Sequence, residues 1–261
     1  MRELSEILDQ ATDILNPAGN KYLLANQSYQ AVAEYLKKDQ RIILPIGSTE
    51  QHGPDAILGV DHITATGIAY TLAQTTGILC APPLNYGMAM HHLGFPGTMA
   101  LRPTTYINLV CDLISSLKDH GFKEVIVVNG HGGNKCPFVN ALAEKKNEFA
   151  DMDFKFFNWW VMPNLAKEII QKEFGEKEGY HATPTELSLT MFLVPGSMTM
   201  PESYSCPQKE VPSENCAWVM PAKFKDYYPD GVMRADYSGS TEEIGKKVLE
   251  FAVKEITAAL S

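Results

Sequence analysis

The stretch EVIVVNGHGGN (Glu124–Asn134) restricts the architecture more than any other part of the chain. β-Branched residues fill nearly every position of Glu124–Val128, the pattern of a strand buried on both faces of a parallel sheet. Asn129–Asn134 then turns directly into a helical pattern, about Pro137–Phe149. Three glycines in those six residues let the backbone approach a neighbour closely. His131 is the side chain of the turn able to bind a metal or carry a proton. Strand, glycine loop and helix also occur in this order in phosphate binders. This stretch, however, is not G-x-G-x-x-G and lacks the Lys and Ser/Thr of a P-loop.

Strands alternating with helices over residues 40–160 extend the pattern to a mainly parallel sheet with helices on both faces, an α/β fold. Arg41–Thr49 (RIILPIGST) opens as a buried strand. A helix follows from about Ile63 to Gln74, closed by Gly77, and ILCAPPLNYG is a second strand ended by prolines. Thr105–His120 is helical by period, with Leu109, Leu113 and Leu117 on one face and Gly121 as cap. Phe154–Trp160 is a further strand whose terminal tryptophans point to opposite faces, so that one can line a pocket while the other packs. Asn164–Phe174 is helical. Residues 1–40 supply a helical packing layer, Glu3–Leu15 and Ser28–Lys38 about an NPAGN turn. Met198–Ser240 is irregular and proline-rich, a wrapping loop or an oligomer contact. Ser240-Thr-Glu-Glu243 reads as a capping box opening the helix Glu242–Ala259. Ile244, Val248, Phe251, Ala252 and Ile256 make its apolar stripe. No internal repeat is visible, and one domain spanning 1–261 is expected.

A net charge of −9 without a Lys/Arg cluster argues against a nucleic-acid partner. No apolar run approaches the length of a membrane span, and MRELSEILDQATDIL mixes acids into its apolar positions, unlike a signal peptide. The five cysteines, at 80, 111, 136, 206 and 216, are odd in number and lack CxxC spacing, which fits reduced thiols in the cytoplasm.

Chemistry concentrates in Glu50–Asp61, EQHGPDAILGVD. Glu50 and His52 point the same way in extended chain, and Gly53-Pro54 breaks the strand so that Asp61 can return. In GYHATPTELSLTMFLVPG, His181 precedes Glu186 by five residues. Thr183 is placed as N-cap and Pro184 in the first turn, so Glu186 lies near a helix N-terminus that favours its charge. MAMHHLGFPGT (Met88–Thr98) is a loop of the kind that carries ligand sites at strand ends. Its neighbours His91 and His92 cannot both face one site in regular structure.

Singly, each of these residues has an ordinary structural use as a cap, a loop residue or a core imidazole. Together, Glu50, His52, Asp61, His131 and Glu186 form a histidine and carboxylate set suited to Zn, Mn or Fe. Five ligands exceed what one tetrahedral ion with an open position needs; they suit two ions about 3.5–4 Å apart that share a carboxylate. Three carboxylates facing two divalent ions leave one positive charge, which a single bridging hydroxide cancels. The expected reaction is metal-assisted hydrolysis of a carbonyl or amidine-like carbon by that dinuclear-metal-activated hydroxide.

EQHGPDAILGVD, NGHGGN and the His181–Glu186 spacing, together with FPGT (Phe95–Thr98) and the C-terminal helix, resemble the creatininase (creatinine amidohydrolase) family. The resemblance implies a three-layer α/β/α sandwich and a homo-oligomer, often a hexamer, acting on a small molecule. It implies that Glu50, Asp61 and His131 hold one metal, and that His52 and bridging Asp61 hold the other. His181 becomes the proton shuttle to the leaving nitrogen. Creatinine-hydrolysing members carry Tyr-Glu after the ligand histidine, the Glu being a second-metal ligand; this chain has Gly132-Gly133. A pocket-side tryptophan four residues before the shuttle is Lys177 here. The likeness is therefore to the Gly-Gly members, with Glu186 replacing the missing ligand and Trp160, Gly132, Gly133 and His92 lining the substrate pocket. Those members include a formamide hydrolase, a cofactor-precursor peptidase and a hydrolase of a keto-inositol. C–N hydrolysis of a cyclic or formyl amide is the leading expectation. The rivals are C–C cleavage of a cyclic ketone, precursor peptide trimming, and a non-catalytic metal-binding oligomer.

Overall fold

In a computed structural model, described over residues 20–207 and 224–260, the apolar runs become four parallel strands. These are β1 (Arg41–Ile46), β2 (Leu79–Cys80), β3 (Glu124–Asn129) and β4 (Asp153–Asn158), in the order β2-β1-β3-β4. β1 pairs with β3 along its whole length, Arg41 against Glu124 through Ile46 against Asn129. Pro45 is tolerated in this central strand because its backbone faces β2, which has ended by Cys80. Its carbonyl accepts from Leu84 N at 3.0 Å, and no N–H is required there.

Helices cover both faces, giving the expected three layers. One face of the sheet (Ile43, Ile126, Val128) packs under α2 (Val60–Thr76), α5 (Pro184–Leu193) and α6 (Glu242–Ala259). The other (Ile42, Leu44, Ile46, Val125, Val127) packs under α1 (Tyr29–Leu36), α3 (Pro103–Asp119) and α4 (Lys135–Glu144).

Several boundaries differ from expectation. The helix expected from Ile63 begins at Val60, so Asp61 lies in its first turn; Gly77 closes it with φ +80° as anticipated. The strand expected to run through Trp160 stops at Asn158, and Trp159–Val161 forms a 3₁₀ turn. Alternation along a strand therefore does not govern the tryptophan pair. Trp159 is buried in the core and Trp160 packs against it half-buried. The helix expected over 137–149 spans Lys135–Glu144, and that over 164–174 opens at Pro163 and widens to π-helical turns over Ala166–Phe174. The last helix is capped by Thr241, whose side chain accepts from Ile244 N, rather than by Ser240. Ser240 Oγ instead donates to Tyr237 O and Pro184 O. The expected helix Glu3–Leu15, Cys216 and residues 208–223 of the wrapping segment lie outside the described residues.

Candidate metal centre

The five expected ligands meet beyond the carboxyl ends of β1 and β3, the edge where open α/β sheets place their sites. Glu50 and His52 follow β1 and are fully buried. His131 follows β3, with Asn129 bracing the turn: Asn129 Oδ1 accepts from His131 N at 3.2 Å and Asn129 Nδ2 donates to His131 O at 2.8 Å. Glycine makes the approach possible, since a Cβ on Gly130 would lie 2.1 Å from Asp61 O. Glu186 is fixed by a capping box: Thr183 Oγ1 accepts from Glu186 N at 3.2 Å, and Glu186 Oε1 accepts from Thr183 N at 2.6 Å.

Two triads result. His131 Nδ1 lies 3.1 Å from both Glu50 Oε2 and Asp61 Oδ2. His52 Nε2 lies 3.0 Å from Asp61 Oδ1 and 4.0 Å from Glu186 Oε2. Asp61 thus turns one oxygen to each. A third grouping, Glu50, His52 and His181, overlaps them, and all three could hold a cation.

The donor set fits a divalent ion on one further observation. Glu50 Oε1, Glu50 Oε2 and Asp61 Oδ2 are buried without a hydrogen-bond partner, although imidazole nitrogens stand 3.1 Å away. Within each group the carboxylate oxygens and imidazole nitrogens lie within 4.8 Å of one another, as ligands of a common cation do. Orphaned carboxylate oxygens would otherwise carry a heavy desolvation penalty.

Charge balance agrees. Burial opposes charge on Glu50, but His131 and His92 outweigh it and hold the carboxyl well below the usual carboxylate range. Burial likewise opposes charge on His131, yet Glu50 and Asp61 raise it well above an ordinary imidazole. Against the same cost, Asp61, Glu186 and Glu50 push His52 up to about 9. Burial lifts Glu186 to about 7, with His52 pulling the other way. The cluster therefore draws positive charge from its imidazoles; a metal would supply that charge instead and hold every ligand deprotonated.

His181 differs. Burial, then the neighbouring His92 and His52, hold it well below an ordinary imidazole, and its Nδ1 stands 3.9 Å from Glu50 Oε1. His92 is buried with Nε2 3.1 Å from Glu50 Oε1, and its ring stacks on His181 at 4.4 Å between centroids. His91 lies tilted against His92 with ring centroids 4.0 Å apart, and burial drives it down to about 3. Phe224 lies edge-on to His92 at 4.6 Å, closing this row of rings.

The family model described as creatinine amidohydrolase matches residues 25–260. The chain belongs to the creatininase family. A creatinine amidohydrolase of Pseudomonas putida is 27% identical over 232 residues, 84% of this chain and 88% of that protein. A 3-dehydro-scyllo-inosose hydrolase of Thermotoga maritima is 39% identical over 102 residues, 39% of this chain but only 33% of that protein. A mycofactocin precursor peptide peptidase of Mycolicibacterium smegmatis is 34% identical over 116 residues, 42% of this chain and 47% of that protein. The chain thus spans a third to a half of the length of these last two. A solved structure named "Creatininase Mn" superposes with TM-score 0.79 at 23% identity, covering 92% of this chain and 97% of that one. Creatininase folds of this kind share the layered α/β architecture described above.

Set against the creatininase pattern, Gly133 has no room for a side chain: a Cβ there would lie 2.4 Å from both His131 Nε2 and Met88 O. Gly132 faces open space, with nothing within 4 Å of a Cβ. Lys177 pairs with Asp236 at 3.1 Å on the surface. Trp160 packs, half-buried, against the core. Gln51, Asn129 and Asn134 were not singled out from the sequence, because a lone amide has no spacing of its own to betray a role. Asn134 ties the two strand ends together by donating to Gly47 O at 3.0 Å and accepting from Met88 N at 3.1 Å.

Proposed function

We propose that this chain is a metal-dependent hydrolase of the Gly-Gly branch of the creatininase family, opening a C–N bond in a small cyclic or formyl amide. The observation that carries the proposal is the pair of triads sharing Asp61, with His181 beside them. Glu50, Asp61 and His131 would hold one divalent ion and His52, Asp61 and Glu186 the other. When bound, such ions polarise a substrate carbonyl and lower the pKa of water. His181 offers an unprotonated imidazole facing the same space, suited to accept a proton and pass it to the leaving nitrogen. The buried imidazole row behind it excludes bulk water. The crowded Gly133 position supports Glu186 as the ligand of the second triad, and the open space at Gly132 leaves room for substrate. A homo-oligomer, a hexamer in keeping with the family resemblance, and one catalytic domain spanning the chain complete the proposal; light scattering tests the assembly.

The experiment is hydrolysis of a panel of cyclic and formyl amides by Zn- or Mn-loaded protein beside its Glu50→Gln and His131→Ala variants. Equal rates in all three would sink the mechanism. A second reading, cleavage of a cyclic ketone, is favoured by the higher local identity to the inosose hydrolase. Adding cyclic ketones to the panel separates the two, because amide cleavage alone releases an amine.

A further inference from the structure

Gln51 sits between two ligands, and its side-chain amide is spoken for at both ends. Oε1 accepts from Gly53 N at 3.0 Å, and Nε2 donates to Gly231 O at 3.0 Å. Those two backbone partners fix which end is oxygen and which is nitrogen, since exchanging them would face donor to donor and acceptor to acceptor. Gly231 is built to receive the amide: its φ is +90°, and a Cβ there would lie 1.7 Å from Gln51 Oε1.

One amide hydrogen remains, and two imidazole nitrogens lie within reach. His92 Nδ1 is 2.7 Å from Gln51 Nε2, and His181 Nε2 is 3.0 Å from it. His181 Nε2 also lies 2.8 Å from the main-chain oxygen of Gln51. A carbonyl cannot donate, so the proton of that contact belongs to His181 Nε2. The remaining amide hydrogen then goes to His92 Nδ1. His92 must carry its own proton on Nε2, the atom 3.1 Å from Glu50 Oε1. His181 is left with a bare Nδ1, the atom turned toward Glu50 at 3.9 Å.

We propose that Gln51 is a positioning residue that fixes the tautomers of His92 and His181, so that His181 presents Nδ1 as proton acceptor and His92 presents Nε2–H as donor to the same space. A hydrogen bond to one ring nitrogen setting the duty of the other is general to buried imidazoles. The catalytic meaning rests on the hydrolase proposed above; the tautomers themselves do not.

The test is ¹⁵N NMR of histidine-labelled, zinc-loaded protein, with the seven histidines assigned by single substitution. Both His92 and His181 are expected to show the pyridine-like shift at Nδ1 and the pyrrole-like shift at Nε2. In Gln51→Met, which keeps the length but not the amide, the His92 and His181 signals should move toward mixed tautomers. Bound zinc should remain unchanged, kcat should fall about 100-fold, and KM should stay within about threefold. A protonated Nδ1 on either ring of the wild type overturns the proposal without any variant being needed. So does a Gln51→Met protein whose two tautomers match the wild type. Tautomers as expected in a protein that cleaves nothing would retain the role of Gln51 and reject the hydrolase.

Discussion

The helices on one face of the sheet are amphipathic, whereas two on the other face, α2 and α5, are enclosed and carry the candidate ligands Asp61 and Glu186. On the face of α1, α3 and α4 the helices are amphipathic: α3 buries Tyr106, Val110, Cys111, Ile114 and Leu117 along one stripe and shows its other side to water. On the opposite face α2 and α5 are enclosed nearly all round. α2 buries an unbroken run from Thr64 to Ala73, and α5 buries eight of its ten residues. Enclosure is possible because the residues are small and the hydroxyls serve themselves. Thr71 and Thr190 bond carbonyls one turn back, Gly67 O at 2.8 Å and Glu186 O at 2.9 Å. Asp61 and Glu186 sit on the first turns of these two helices. A carboxylate that must be held against its neighbours is thus mounted where the helix has no freedom to shift.

The largest expected effect is at the shared ligand. Asp61→Ala should reduce bound metal below about one ion per chain and lower kcat by at least about 1,000-fold, against a metal content unchanged in Ile114→Ala on the other face. Elemental analysis of both proteins decides it, and loss of metal from Ile114→Ala would break the contrast. Next comes close packing. A Cβ on Gly245 of α6 would lie 2.0 Å from Ser188 O of α5. Gly245→Ala should therefore destabilise by on the order of 3 kcal/mol, a fall in Tm of roughly 6–12 °C, and weaken metal binding through Glu186. Gly121, at the end of α3, has φ +102° but nothing within 4 Å of a Cβ. Gly121→Ala should cost about 1–2 kcal/mol of backbone strain and leave the metal alone. Equal Tm losses in calorimetry would erase the distinction.

Ile114→Ala itself should cost about 2–5 kcal/mol by leaving a cavity, with the specific activity of the folded protein retained. The smallest effect separates two caps. Thr183→Ala and Thr241→Ala should each cost about 1 kcal/mol in denaturant unfolding. Thr183→Ala alone should weaken metal affinity, roughly tenfold, because Glu186 is its capping partner. Matching metal titrations for the two variants would show that the cap does not hold the ligand in place.

The legible parts of this molecule were those with a local signature. β3 announced itself by β-branched density, and α3 and α6 by period. Thr183 could be read as an N-cap because it stands just before a proline suited to a first helical turn; that Glu186 returns the bond and closes a capping box was not read. Asp61 was legible as a ligand type but not as the first turn of α2, since Gly59 at the cap offers no side chain to mark a helix start. Core packing, the better reading for each tryptophan, holds, but a 3₁₀ turn over Trp159–Val161 replaces the strand geometry that alternation assumes. The π-helical turns of 166–174 have no sequence mark of their own.

By itself the sequence determined the layered α/β order, the strand-end placement of His131 and the candidate ligand types, because strand burial, helix period and capping are decided within a few neighbouring residues. Tertiary structure alone decided that Asp61 would turn one oxygen to each triad, that Gly133 would be too crowded for a side chain, and that Gln51 would stand between two imidazoles. Those facts depend on distances between atoms far apart in the chain, which no local pattern encodes.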